Sequence, residues 1–307
     1  MPKCIAYRGS DGLGRVNPLL IVFVAAVSVM IVIAIFTHID SVTAMAADGR
    51  IEVPRFDHVV IVVEENRPFD EIINSADAPF INQMASEGAL FTESYGITNA
   101  SQPNYLALVS GSTHGISDND VHPRFSGPTI FSKLAARGLT FCGYSEGLPA
   151  EGSDVKEHGD YRRKHNPMTQ FTDIPATANK IFDEQNFPTA PGTKYDFLPT
   201  VCMVVPDQQH DMHSGNVAEG DAWLQEKLTP YIEWASSHNS LLILTFDEDG
   251  TPDNGRIVTI FRGAHIRPGR YPDAINHYNV LRTVEDMYEL EHSSSTIDAT
   301  SITQVWQ

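Results

Sequence analysis

Basic residues are scarce in this chain. Lysine and arginine number 21 against 39 aspartates and glutamates, a formal net charge of −18 at pH 7. That shortage excludes DNA, RNA or an anionic lipid surface as a general electrostatic partner. It leaves room for a small phosphate ester, because a bound cation reverses the sign of the field locally. Cysteine is scarcer still, at three residues. Cys4 precedes the one long apolar run. Cys142 and Cys202 fall within predicted strands, either as two buried thiols or as one disulfide. Internal repeats and low-complexity tracts are absent. What remains is ordinary for a globular chain, 42% hydrophobic and 20% charged, and its 307 residues allow one large domain or two small ones.

The apolar run covers residues 19–36, 18 residues without a charge, preceded by Lys3, Arg8 and Arg15. That is long for a signal-peptide core and just enough to span a bilayer. Ala44-Met45-Ala46 is a site a signal peptidase could cut. Residues 1–46 are therefore expected to be a signal peptide or a membrane anchor, followed by a linker at 47–55. Positive residues ahead of the run place the rest of the chain outside the cytoplasm. Membrane contact is expected only through this segment.

The body, residues 56–292, alternates strand and helix. Strands are expected at 58–63, 89–95, 139–144, 200–205, 241–246 and 256–261. Helices are expected at 77–88, 102–110, 129–137, 217–238 and 277–290, the first three closed by Gly88, Gly111 and Gly138. Such alternation predicts an α/β fold, a mostly parallel central sheet with helices on both faces. Residues 146–199 are polar and rich in proline and glycine, a loop region of the length usually tied to function. Residues 293–307 read as a polar, loosely packed tail.

Three of the apolar runs end in chemistry. Residues 58–63 lead into Glu64-Glu65-Asn66, and residues 200–205 into Pro206-Asp207, then His210-Asp211-Met212-His213. Residues 241–246 lead into Asp247-Glu248-Asp249. Runs without alternation are strands buried on both faces, and open α/β sheets bind ligands beyond the carboxyl ends of their strands. Three such ends predict one converging metal or acid/base site. Ser101 sits where the N-cap of the 102–110 helix belongs, with Pro103 in the first turn. Capping explains a serine there. A helix start also binds phosphate and favours an alkoxide.

Several segments stand in a telling order. They are Val62-Val63-Glu64-Glu65-Asn66-Arg67-Pro68-Phe69-Asp70, Ser101-Gln102-Pro103-Asn104-Tyr105, Lys164-His165-Asn166-Pro167, His210-Asp211-Met212-His213, Thr245-Phe246-Asp247-Glu248-Asp249 and Asn276-His277-Tyr278. With them the chain resembles the bacterial phosphoesterase family of secreted acid phosphatases and phospholipase C enzymes, within the alkaline phosphatase superfamily. The resemblance spans about residues 55–290 and implies a metal-dependent hydrolase with a transiently phosphorylated nucleophile.

Residue by residue, the resemblance implies that Glu65, Asn66, Asp247 and Glu248 ligate a divalent cation, with Ser101 both ligand and nucleophile. It implies that Asn104 donates to a phosphoryl oxygen. His210, Asp211, His213 and His277 would hold a second metal, contact phosphate or donate protons. His165 and Asn166 line the pocket or belong to a surface loop. The oxygen-rich set suits Mg, Ca, Mn or Zn. Protonated histidines would favour acid conditions. A sulfatase reading fails, because Tyr105 stands where that motif carries arginine. The stretch after Leu148-Pro149 lacks the cysteine of many relatives. The leading expectation is an extracytoplasmic acid phosphatase acting on small phosphate monoesters through a phosphoserine. The alternatives are a phospholipase C-type phosphodiesterase, a phosphoinositide phosphatase, or a non-catalytic metal- or phosphate-binding surface protein.

Overall fold

The structure, a computed structural model, describes residues 53–307. The expected leader or anchor and most of the linker lie outside the described residues. Among the described residues no helix is long and apolar enough to cross a membrane.

Among the described residues ten strands follow in chain order: β1 His58–Glu64, β2 Ala89–Tyr95, β3 Phe141–Ser145, β4 Glu157–His158, β5 Tyr161–Arg162, β6 Asn179–Ile181, β7 Val201–Val205, β8 Ser240–Phe246, β9 Arg256–Gly263 and β10 Gly269–Asn276. Eight form one sheet in the order β10-β2-β9-β8-β1-β7-β3-β6, and β4 and β5 pair separately. All neighbours in the large sheet are parallel except β9, which runs antiparallel to β8 and β2. Strands β10, β2, β8, β1, β7 and β3 therefore all end at the same edge.

Side chains alternate across β1. Val59, Ile61 and Val63 enter a core with Leu106, Val109, Val280 and Val284. Val60 and Val62 enter another with Met84, Trp223 and Leu224. Helices Ser101–Ser110, Ile130–Ala136 and His277–Met287 thus cover one face, and helices Pro79–Glu87 and Val217–Ala235 the other. Local chemistry sets their ends. Gly111 closes its helix at φ 70°, a left-handed conformation that suits glycine. Asn216 and Glu219 form a reciprocal capping box at the start of Val217–Ala235. Asp221 in that helix accepts from the N–H groups of Phe80 and Ile81, which docks the first turn of its neighbour.

Three expectations change. Strand β10 was not foreseen: it is an edge strand with Pro272 inside and little buried surface, so it carries no apolar pattern. The 146–199 region, read as loop, also adds a strand, since β6 extends the sheet edge, and short 3₁₀ turns follow β5. The tail is packed rather than loose. Ile302, Val305 and Trp306 are buried in the core with Phe56 and Phe261, each contributing about 2 kcal/mol of transfer free energy. Buried Glu285 accepts from Lys133, from the Ser293 N–H and from the Thr296 hydroxyl. The tail's polar average concealed three well-placed apolar residues. Cys142 and Cys202 stand in register on adjacent strands as free thiols.

Candidate active site

Glu65 follows β1 and Asp247 follows β8. The register pairs Glu64 with Phe246, so the next residues face each other across the sheet edge. Asn66 takes a φ of 53°, which asparagine tolerates. Its N–H thereby donates to Asp247 Oδ1 at 3.1 Å. The loop from β2 to Ser101 crosses close by. A Cβ at Gly96 would come within 2.8 Å of the Asp247 carbonyl oxygen, so only glycine fits there. His277, first residue of its helix, donates from Nε2 to the same carbonyl at 2.7 Å.

Ser101 is not the N-cap. Ala100 holds the extended cap conformation and Ser101 is the first helical residue. Its hydroxyl is therefore free of capping and donates toward Glu65 Oε2 at 3.0 Å, with Glu248 Oε1 at 3.4 Å. Lys164 Nζ donates to Ser101 Oγ at 3.4 Å. Ser101 is buried, Lys164 beside it and Asn66 on Glu65 are partly exposed, and His213 on Glu65 is exposed.

Glu65 is the hub. Its carboxylate lies 2.9 Å from His165 Nε2 and 3.0 Å from His213 Nδ1, and accepts from Asn66 Nδ2. Ligand atoms of Glu65, His165 and His213 fall within 4.8 Å of one another. His165 is buried, stacked on Tyr105 with centroids 5.3 Å apart, and its Nδ1 lies 3.1 Å from Asp211 Oδ2. Asp211 also accepts the His213 N–H through Oδ1, and the Glu65 N–H through its carbonyl.

Charge is concentrated here. Burial acts to raise the Glu65 carboxyl, but the His165 charge and hydrogen bonds from His165 and His213 outweigh it and hold it well below the usual range. Burial, then the charges of Glu65 and Glu248, push Asp247 well up. Burial and the Glu65 charge push Glu248 up to about 8. Glu65 Oε1 and Asp247 Oδ2 are buried without a hydrogen-bond partner, although His165 Nε2 is near the first. Buried carboxylate oxygens without a donor suit a cation. The donor types of Glu65, Asp247, Glu248 and the amide of Asn66, whose oxygen and nitrogen exchange by a flip, suit a divalent cation, while the group whose ligand atoms converge around Glu65 is Glu65, His165 and His213.

Four expected roles do not match the geometry. Asn104 is buried, and both its donors and its acceptor serve the backbone of the preceding loop: Nδ2 to the carbonyls of Thr98 and Ala100, Oδ1 to the N–H groups of Ile97 and Thr98. It has nothing left for a phosphoryl oxygen. Asn166 is likewise spent on Tyr161, Asn179 and the Met168 N–H. Asp211 is wholly buried behind His165 and positions that ring instead of meeting substrate. His210 joins Glu146 and Asp207, not Ser101, which does not match a phosphate contact or proton donor but does match a metal ligand. His277 is where the sequence put it, beside Asp247, but burial pushes it down to about 4, so it is neutral at the pH where a cationic histidine was expected. Lys164 was missed as a site residue. Its signal was adjacency to His165 in a chain poor in cations.

Residues 73–291 match the phosphoesterase family. The chain is 45% identical over 255 residues to a phosphatidylinositol-3-phosphatase of Mycobacterium tuberculosis, covering 82% of this chain and 84% of that protein. It is 28% identical over 222 residues to an acid phosphatase of Aspergillus fumigatus, covering 66% of this chain and 48% of the fungal one, so it spans about half of that longer relative. The fold is similar to that of an alkaline phosphatase superfamily protein from Vibrio parahaemolyticus, at a TM-score of 0.55 and 13% identity, covering 84% and 72% of the two chains. The chain belongs to the phosphoesterase family and is a phosphoric ester hydrolase.

Proposed function

We propose that this protein hydrolyses phosphate monoesters outside the cytoplasm, with Ser101 as the nucleophile and a divalent cation held by Glu65, Asn66, Asp247, Glu248 and Ser101 itself. The observation that carries the reading is the Ser101 hydroxyl. It lies at a helix start, unused by capping, between two carboxylates and a lysine. The cation would neutralise phosphoryl oxygens and make the hydroxyl more acidic.

The protein's own residues supply the rest. Lys164 and His213 meet the phosphoryl oxygens at the partly exposed side. Glu65 and Glu248 orient Ser101 Oγ toward phosphorus, and Glu248, the carboxylate whose proton affinity is raised, takes its proton. Attack forms the Oγ–P bond, breaks the bond to the leaving oxygen, and leaves a phosphoserine. The departing alkoxide takes a proton from His213. Water then gives a proton to His213 as it forms the new P–O bond, the Oγ–P bond breaks, Ser101 Oγ takes back the proton held by Glu248, and inorganic phosphate leaves. Catalysis of this kind is mainly positioning and charge stabilisation.

The 45% identity to a phosphatidylinositol-3-phosphatase favours a monoester borne on an inositol ring as substrate. The apolar run at 19–36 behind a basic N-terminus supports the extracytoplasmic location. The test is a parallel assay of an aryl phosphate, phosphatidylinositol 3-phosphate, phosphatidylcholine and a diester dye, with and without added divalent metal, from acid to alkaline pH. Metal-dependent turnover of the two monoesters supports the reading. Diester or phosphatidylcholine cleavage with negligible monoester turnover overturns it.

A further inference from the structure

A separate cluster lies where β3 and β7 end. Glu146 follows β3, and Asp207 and His210 follow β7. His210 Nδ1 is 2.9 Å from Glu146 Oε2 and 3.1 Å from Asp207 Oδ1, and one ligand atom from each residue lies within 4.8 Å of the others. The Glu146 carboxylate is held from its other side by Trp223 Nε1 at 3.0 Å, and the His210 ring stacks on Trp223. The cluster borders an open cavity of about 420 Å³ whose wall also carries Glu219 and Glu226 and no lysine or arginine.

A protonated His210 between two carboxylates would account for these three residues, but not for Glu64. That residue ends β1, and alternation puts it on the face of Val60 and Val62, the face that Trp223 covers. Its side chain is fully buried and neither carboxylate oxygen has a partner. The charged groups bearing on it are Asp211, Glu146, His210 and Glu65. Burial, then the charges of Asp211 and Glu146, push this carboxyl well above its usual range: without a cation beside it Glu64 keeps its proton, and a cation there would let it ionise.

We propose that Glu146, Asp207 and His210 form a divalent-cation site distinct from the one around Glu65, with buried Glu64 aimed into it as a further ligand or counter-charge. Two or three carboxylates with one imidazole nitrogen suit zinc or manganese, since calcium and magnesium prefer oxygen alone. The ion reaches the site from the acidic cavity. It ties the turn after β3 to the turn after β7, the segment from which Asp211 and His213 reach His165 and Glu65. Its role is to hold that turn in place.

The test uses the full chain, stripped with a chelator and dialysed against zinc alone. His210→Gln and Asp207→Asn should each bind about one zinc fewer per chain than the wild type. Asp247→Asn, at the other site, should lose a different one, so that combining it with His210→Gln is additive. Unchanged zinc content in His210→Gln overturns the proposal. Anomalous scattering at the zinc edge from crystals of the wild-type chain decides the matter even where a variant fails to fold. A peak among Glu146, Asp207 and His210 is the expected result. No peak there at saturating zinc means that the three residues are only a histidine-centred ion pair, and the proposal falls.

Discussion

Ser101 Oγ stands 3.0 Å from Glu65 Oε2, across 36 residues of chain. The serine begins a helix on one face of the sheet, and the glutamate directly follows a strand at its centre. Because the same carboxylate also meets His165, His213 and Asn66, Glu65→Gln should lower kcat by at least about 100-fold, the scale of losing one preorganised electrostatic contact. Metal content should drop in parallel. A Glu65→Gln enzyme with full turnover would remove the hub from the account.

Lys164 is a partly exposed cation beside Ser101. A charge-assisted contact to a phosphoryl oxygen is worth about 1.5–3 kcal/mol. Lys164→Gln should therefore lower kcat/KM roughly 10- to 100-fold while circular dichroism and melting stay as in the wild type. An unchanged kcat/KM toward an aryl phosphate would place this lysine outside the site.

Asn104 separates two readings. Its amide is committed to the loop that precedes Ser101, so Asn104→Ala strands buried backbone groups and should destabilise the protein by about 2–3 kcal/mol in urea titration. A donor to phosphate would instead lose activity at constant stability. That second outcome would restore the role the sequence suggested.

The pH dependence follows from Glu248, pushed up to about 8 by burial and by the Glu65 charge from an ordinary 4.5. Between those values the metal-free folded protein holds a proton that the unfolded chain has released. Its stability should therefore fall as pH rises through that window. A cation needs the ionised carboxylate, so its affinity should rise over the same window, and binding at neutral pH should release protons. Calorimetric metal titrations in buffers of different ionisation enthalpy measure that release, and melting curves with and without metal measure the slope. Proton-neutral binding together with a flat stability profile would contradict the assignment.

The central strands were legible because β1, β7 and β8 are buried on both faces and read as unbroken apolar runs. Parallel order then carried Glu65, Asp247 and the 207–213 turn to one edge. The rest was illegible for particular reasons. Asn104 and Asn166 look the same in sequence whether an amide faces a substrate or its own backbone, and only the finished loops show the latter. His210 sits three residues from His213 yet faces Glu146, a partner 64 residues away that no periodicity announces. Strand β10 and the 293–307 tail lack a dense apolar pattern, and they pack because the core offers them edges.

The most direct measurement is acid quenching of the enzyme during turnover of a phosphate monoester, followed by peptide mass spectrometry. One phosphoryl group on Ser101, absent in Ser101→Ala, is the predicted result, with kcat of that variant lower by on the order of 10³-fold or more. Phosphate on another side chain, or a Ser101→Ala enzyme that still turns over at near wild-type rate, would contradict the account.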